Sequence, residues 1–394
     1  MPPHPGPDSR VGVVLLAAGS GRRLAPLTAR RPKALLDVHG RPVIVRQLDQ
    51  LRAAGFDDIT VVTGYREEQV RRAVERAGHR DVRFVHNRGY ATDTNLRSAL
   101  MGTAHAHAVL LVEADMIVPD AAWPIVARGA ADPDATLWYT NGAVQPDQMG
   151  GMLTQDRARK ITGLTIERTY RPGMRRRRKL AGIVQIGSEA LSIARRHWLD
   201  LSDAGRDAYF HAPWLDGLAP LGGARDLGAA ATLCFNTPAE YYRALLRAGP
   251  TMAPLGPWRD VRMSDGLSLV PVRELRHIEN YSRRRAQWLR GKIEREGVWR
   301  VALAVDPAGL VMDGQHRFEV ARALGLAFVP AAVIDYRDVT VWSLRDNYTV
   351  TRDEIVRRAM SGEIYPYKTA KHGFHTPMPE VHIPLELLRS FRVA

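Results

Sequence analysis

The sequence predicts an α/β chain of two domains, a mostly parallel sheet with helices on both faces followed by a smaller α+β unit. Three observations predict it. The 394 residues exceed what one core organises at roughly 100–200 residues per domain. Apolar runs alternate with helical periodicity through the first part of the chain, as in strand–helix–strand units. The segment 249–266, GPTMAPLGPWRDVRMSDG, holds three prolines and several turn residues, so it reads as a linker.

The elements follow in order. MPPHPGPDSR, residues 1–10, has four prolines and no apolar pattern, which predicts a flexible leader. VGVVLLAAGSGRR runs as a buried strand into a glycine turn, RPVIVRQLDQLRAAG has helical spacing, and DDITVVTGY is a second buried strand. EEQVRRAVERAG, VRFVHN, NLRSALMGTAHA and AVLLVEADMIV continue the alternation as helix, strand, helix, strand. ATLWYTNG, GGMLTQD and LAGIVQIG are strand-like, and TPAEYYRALLRAG is helical, closing the first domain, 11–248. In 267–394, LSLVPVREL is a strand, YSRRRAQWLRGKIEREG a basic helix, VALAVDPAGLVMDG a hairpin, QHRFEVARALGL a helix and VPAAVIDY a strand.

Composition narrows the class. At 45% hydrophobic and 25% charged residues the chain is globular, and no apolar run approaches the roughly 18–20 residues of a membrane span. The single cysteine, Cys234, forms neither an internal disulfide nor a cysteine zinc site, and a cytoplasmic location with no membrane partner is expected. A net charge of +14 favours nucleic acid or phosphorylated small molecules, but only six of the 56 basic residues are lysines, and the arginine excess by itself carries little weight. The run Arg175–Arg178 reads as a solvated loop, and Trp288 and Trp299 as core residues rather than base-stacking platforms, so nucleic acid is not the expected partner.

LAAGSGRRLAPLTARRPKALL places glycines, arginines and a lysine between a buried strand and the next helix. Glycines let backbone amides approach phosphates, and Arg23 and Lys33 can neutralise charge on phosphoryl oxygens. In a parallel sheet, Gly19–Arg23 and Glu113–Asp115 both fall at carboxyl ends of strands, where ligands bind. The string resembles the LAAGxGxRxxPLTxxxPKxL signature of the sugar-phosphate nucleotidylyltransferases and phosphocholine cytidylyltransferases, over roughly residues 11–247, and DVHGRPVIVRQLDQL, ITVVTGYREEQV and NRGYATDTNLRSAL look most like the cytidylyltransferase branch. The resemblance implies a Rossmann-like nucleotidyltransferase fold, CTP as substrate and Mg²⁺ as cofactor. It places Gly19, Gly21, Arg23 and Lys33 on the phosphates, Asp115 of LVEADM on the metal, and Asn95 and Ser98 near the nucleotide. The family's second metal-binding aspartate is replaced here by Asn236 in FNTPAEYY. Its amide oxygen can still coordinate Mg²⁺ but brings no charge, which leaves room for another acid such as Asp207, Asp216 or Glu240.

MDGQHRFEVARALG puts Asp313, Gly314, His316 and Arg317 at a hairpin-to-helix junction, where helix amides and basic groups can face an anion. From about Leu267 onward the chain resembles the ParB-like and sulfiredoxin-like superfamily. Sulfiredoxin chemistry needs a cysteine in this loop, and none follows Cys234. Chromosome-partition proteins need a helix-turn-helix module, for which the residues after Arg317 are too few. The free serine kinases combine an HxE element, a DGHHR element and a PxKTxxH element, matched in order by His277–Glu279, DGQHR and IYPYKTAKHGF. That resemblance makes Glu279 the general base toward a substrate hydroxyl, with a helix-start acid as the plain alternative. It puts Asp313 on metal or substrate, Gly314, His316 and Arg317 on nucleotide phosphates, and Lys368, Thr369 and His372 closing over them. Trp342 is assigned to the substrate pocket.

The two resemblances imply a bifunctional enzyme: a kinase using ATP or ADP on a small hydroxyl compound, L-serine first, and a cytidylyltransferase consuming the phosphomonoester. A homodimer is compatible with this. The competing readings are a DNA-associated regulator with a degenerate transferase, and a sugar-phosphate nucleotidylyltransferase with a sugar kinase.

Overall fold

A computed structural model describes residues 11–25, 27–38, 41–146, 149–248, 262–264, 267–375 and 377–391. The expected leader 1–10 and most of the linker 249–266 lie outside the described residues. The chain forms two compact units, Met1–Leu36 with Arg41–Asn236, and Asp37–Gly40 with Thr237–Ala394. The division falls just after Asn236, earlier in sequence than the boundary read at 248.

In the first unit, β1 (Val11–Ala17), β2 (Ile59–Thr63), β3 (Arg83–His86) and β4 (Ala108–Glu113) are parallel, in the order β4-β1-β2-β3. The strand runs after residue 133 add an antiparallel wing. β5 (Leu137–Ala143), β6 (Gly150–Gln155), β7 (Ile161–Glu167) and β8 (Arg178–Ile186) extend the sheet beyond β4, with β8 pairing β4, and β9 (Gly223–Asp226) pairs β5. The architecture is thus the expected α/β sheet with a parallel-rich centre.

Both faces of the central strands are apolar because successive side chains point to opposite sides. Val13, Leu15, Val61, Leu110 and Val112 pack against one set of helices, α1 (Val43–Ala53) through Ile44 and Leu48, and α2 (Glu67–Arg76) through Val70 and Val74. Val14, Val62, Val109 and Leu111 face the other way, onto Leu96 and Ala99 of α3 (Leu96–Gly102) and Leu191 and Trp198 of α4 (Ser188–Asp203). Each such buried side chain contributes about 1.5–3 kcal/mol of transfer free energy. The last residue of α3 must be small: a Cβ on Gly102 would stand 2.6 Å from both Val14 Cγ1 and Val62 Cγ2.

The second unit contains a six-stranded sheet. β10 (Arg262–Ser264), β11 (Leu267–Pro271), β12 (Arg276–His277), β13 (Leu303–Val305), β14 (Leu310–Asp313) and β15 (Phe328–Val333) take the order β10-β11-β15-β13-β14-β12. The hairpin read in VALAVDPAGLVMDG is β13–β14, antiparallel. The basic helix is α5 (Arg283–Glu296), and α6 (Gln315–Ala323) follows Gly314, whose φ of 100° lets it cap the helix. A separate two-stranded antiparallel sheet pairs β16 (Thr340–Ser343) with β17 (Ala370–Gly373), with the helix Arg352–Ser361 between them in sequence. Trp299 is fully buried as expected, whereas Trp288 is 60% exposed and instead carries Lys292 over its ring at 5.6 Å. Arg175 and Arg176 are exposed but end the 3-10 turn Pro172–Arg176, with Arg175 donating to the Tyr170 hydroxyl at 2.9 Å, while Arg177 binds Thr165 and Glu167 and Arg178 begins β8, so the run is more structured than the solvated loop expected.

Among the described residues no helix is long and apolar enough to cross a membrane.

Candidate active sites

β1 and β4 are adjacent and parallel, with Leu16 opposite Glu113, so the loop after β1 and the turn after β4 open on the same sheet edge. The first loop folds back on itself at Gly21, which is left-handed at φ 65° and whose carbonyl accepts from Thr28 Oγ1 at 2.8 Å. A Cβ on Gly21 would stand 3.0 Å from Lys33 Cβ, so glycine is required both by conformation and by space. Gly19 has no such neighbour: nothing of the protein lies within 4 Å of a Cβ placed there.

Lys33 is 8% exposed, and its Nζ donates to Asp115 Oδ2 at 2.7 Å and to Asn236 Oδ1 at 3.1 Å. The ammonium also stands 5.2 Å from the centre of the Phe235 ring. Arg23 Nη2 donates to the same Asn236 oxygen at 3.2 Å. Four expected site residues, drawn from across the unit, therefore meet at one edge. A buried ammonium held by a carboxylate and an amide is stable only as part of such a set.

Asp115 and Asn236 present two hard oxygens toward one cationic point, a donor pair that fits Mg²⁺, which takes few protein oxygens and completes its shell from phosphates and water. Mg²⁺ held there would supply charge neutralisation for a polyphosphate. Among the described residues no cluster of three or more His, Cys, Asp or Glu side chains forms a metal cage. The acids considered as substitutes for the missing aspartate are occupied elsewhere. Asp207 accepts from the Thr94 backbone at 2.6 Å, Asp216 binds His197 at 2.7 Å, and Glu240 accepts from the Thr237 backbone at 3.2 Å. The acid that does stand beside Asp115 is Glu113, which sequence reasoning placed on the rim without a role. Burial, and then the negative charge of Asp115, push its carboxyl up to about 7, against the pull of Lys179 and Lys33.

Asn95 and Ser98 do not join this network among the described residues. Ser98 is buried, donates to Asp93 Oδ2 at 2.8 Å and accepts from Asn87 at 2.9 Å. Asn95 Oδ1 accepts from the Phe210 backbone at 2.7 Å. The amides at the start of α3 are met instead by Asp93, whose carboxylate accepts from the backbone of Arg97 at 3.1 Å and of Ser98 at 3.0 Å.

In the second unit, Glu279 pairs in a parallel bridge with Tyr365, and its Oε2 accepts from the backbone of Thr369 at 3.0 Å and Ala370 at 3.2 Å. Burial raises its pKa, and the backbone donors of Thr369, Ala370 and Lys368 hold it back. His316 Nε2 accepts from the Ser282 backbone at 3.1 Å, and its ring stands edge-on to Tyr367 at 5.5 Å. Lys368 is exposed, with a left-handed φ of 59°. Thus the structure gathers Glu279, His316 and the Lys368–Thr369 turn.

It treats other expected residues differently. Arg317 spends its guanidinium on the Ala302 carbonyl at 2.9 Å and Asp313 Oδ2 at 2.7 Å, so this pair braces the junction. His372 is 7% exposed and paired with the Tyr336 hydroxyl at 3.1 Å, and burial pushes it down to about 4, leaving a neutral ring inside the fold. Thr369 is fully buried and its hydroxyl donates to the Pro366 carbonyl at 2.8 Å, so only its backbone amide serves Glu279. His277 binds Gln315 at 2.6 Å beneath the helix start. Trp342 is 44% exposed on β16.

Comparison with known proteins agrees with the first unit. The chain is 35% identical over 113 residues to the 2-aminoethylphosphonate cytidylyltransferase of Lancefieldella rimae, covering 28% of this chain and 45% of that protein. It is 36% identical over 102 residues to the choline-phosphate cytidylyltransferase of Streptococcus pneumoniae, covering 26% and 43%. The chain spans less than half the length of these curated relatives. The solved CTP:phosphocholine cytidylyltransferase of Streptococcus pneumoniae shares the fold, with a TM-score of 0.50 and 22% identity over 59% of this chain and 97% of that one. Residues 13–186 match the MobA-like NTP transferase domain family, so the first unit carries a MobA-like NTP transferase domain.

Proposed function

We propose that the chain is a bifunctional enzyme that phosphorylates a small hydroxyl compound, L-serine first, in its second unit and transfers CMP from CTP to the resulting phosphomonoester in its first. The carrying observation is Lys33, held by Asp115 and Asn236 with Arg23 alongside, at the end of a parallel sheet. That set is built for polyphosphate charge and alignment, which is what nucleotidyl transfer requires. A phosphate oxygen of the acceptor attacks the α-phosphorus of CTP, the bond to the β-phosphate oxygen breaks, and pyrophosphate leaves.

The kinase half is supported by Glu279. In it the serine hydroxyl attacks the terminal phosphorus of ATP or ADP, Glu279 takes the hydroxyl proton, and ADP or AMP leaves. A carboxylate whose pKa is raised by burial, next to a lysine-bearing turn, suits that role.

A second reading keeps the transferase and changes the acceptor. Since one relative is named for an aminoalkylphosphonate, the first unit would take a phosphonate formed elsewhere. Phosphorus NMR of the purified full chain with L-serine, ATP or ADP, CTP and Mg²⁺ decides. A serine-dependent phosphomonoester signal followed by a pyrophosphate-diester signal is the expected result. Diester formation from 2-aminoethylphosphonate alone selects the second reading. Sugar-dependent signals select the sugar-kinase alternative, and salt-sensitive duplex DNA binding without phosphoryl transfer selects the regulator.

A further inference from the structure

A small cavity of about 50 Å³ in the first unit is lined by Glu113, Trp138, Lys179, Phe210, His211 and Cys234. It adjoins the Lys33 cluster, since Glu113 is two residues before Asp115 and feels the charges of Asp115, Lys33 and Lys179. A pocket that opens beside the reacting phosphates and is lined by side chains not used on them is where the rest of an acceptor molecule goes.

Its chemistry is specific. One acid, Glu113, which a bound ammonium would draw into its ionised form, and one positive group, Lys179, stand on a wall of aromatic rings. Lys179 Nζ donates to the Leu180 carbonyl at 3.1 Å and the Gly151 carbonyl at 3.4 Å, which leaves one of its three donors. The His211 ring stacks on Phe210 at 3.9 Å and on Trp138 at 5.7 Å, and its Nδ1 is buried without a hydrogen-bond partner. Buried unpaired polar atoms beside a cavity point to a ligand that completes them. Gly182 makes room for the acid: its φ is 74°, and a Cβ there would stand 3.0 Å from Glu113 Oε2 and 2.9 Å from Met116 Sδ. The Cys234 thiol is pushed up to about 11 by burial, so it lines the wall as a neutral group.

We infer that this cavity selects a zwitterionic acceptor, a phosphorylated compound bearing both an ammonium and a carboxylate, with the ammonium at Glu113 and the carboxylate at Lys179. The aromatic wall adds attraction for the ammonium. A phosphorylated amine without a carboxylate leaves the remaining Lys179 donor unmatched, and a sugar phosphate leaves both that donor and Glu113 without an ionic partner, which disfavours each. The inference rests on the transferase reading and extends it to the acceptor class.

The test measures CTP-dependent pyrophosphate release by the full chain with O-phosphoserine, phosphoethanolamine, phosphocholine and glucose 1-phosphate. Phosphoserine and phosphoethanolamine differ only in the carboxylate. The expected kcat/KM is about tenfold or more higher for phosphoserine. Lys179→Met removes that preference by lowering phosphoserine turnover alone, Lys179→Arg keeps it, and Glu113→Gln lowers turnover of both amines. Melting curves confirm that each variant is folded. Equal or better turnover of phosphoethanolamine by the unaltered chain overturns the inference while leaving the transferase standing, as does a Lys179→Met loss shared equally by both acceptors. Pyrophosphate release from none of these acceptors overturns this inference, and if 2-aminoethylphosphonate also gives none the transferase reading falls with it.

Discussion

Lys33 donates to Asp115 at 2.7 Å and so ties the loop after the first strand to the end of a strand 82 residues later. The pair makes each residue dependent on the other for its position. Lys33→Met and Asp115→Asn are each expected to lower CTP-dependent pyrophosphate release by about 100-fold or more, with the double variant little worse than either, as for groups acting together. Single-turnover pyrophosphate assays on the three variants check this, and additive losses would show two independent roles.

Asn236 gives the rim an amide where the resembled family has a carboxylate. Asn236→Asp adds a negative charge beside Lys33 and Asp115, so about tenfold less Mg²⁺ is expected for half-maximal transfer. Calorimetric titration of Mg²⁺ into the CTP-bound variant tests it. An unchanged or higher Mg²⁺ requirement would remove Asn236 from the metal site.

Glu279→Gln should abolish serine phosphorylation and spare pyrophosphate release, since the two activities are assigned to different units. The raised pKa also sets a direction. The base must be ionised, so the kinase rate should climb with pH through a point above the ordinary carboxylate value of 4.5. A pH–rate profile already flat at pH 5 would exclude Glu279 as the titrating base.

His211 makes the first unit sensitive to acid. Burial, and then Lys179, push its folded-state value down to about 3 from 6.5, so the unfolded chain binds the proton more readily between those values. The stability that the neutral ring contributes is complete above pH 6.5 and is lost as pH falls toward 3, by about 2 kcal/mol at pH 5. Glu113, raised to about 7, acts in the opposite direction from pH 7 down to 4.5, because the folded state holds its proton. Comparing denaturant unfolding of His211→Phe with the unaltered chain isolates the histidine. The variant should gain about 2 kcal/mol relative to the unaltered chain between pH 7.5 and pH 5, and a pH-independent difference would contradict the assignment.

The central strands and their helices were legible because their pattern is local. Val13 and Leu15 against Val14 mark two buried faces within one strand, and Gly21, Arg23 and Lys33 lie in one string. Asp115 and Asn236 became legible through family resemblance, and the structure brings them to that string. What stayed hidden depends on distant partners. Ser98 reads like a nucleotide contact until Asp93 and Asn87 are seen to occupy it. His372 reads like a phosphate contact until Tyr336 is found against it. Lys179 ends an arginine-rich stretch, and His211 stands in no motif at all, so nothing in the order of residues announces that they share a cavity with Glu113.

The left-handed turn at Lys368 has a consequence for engineering. A side chain at φ 59° costs about 1 kcal/mol or more that glycine would not, and this turn delivers the neighbouring amides to Glu279. Thermostability-guided redesign would therefore nominate Lys368→Gly early. If the lysine serves a phosphate, that change would improve the scaffold and disarm the enzyme, which makes the position a marker of where durability and activity part.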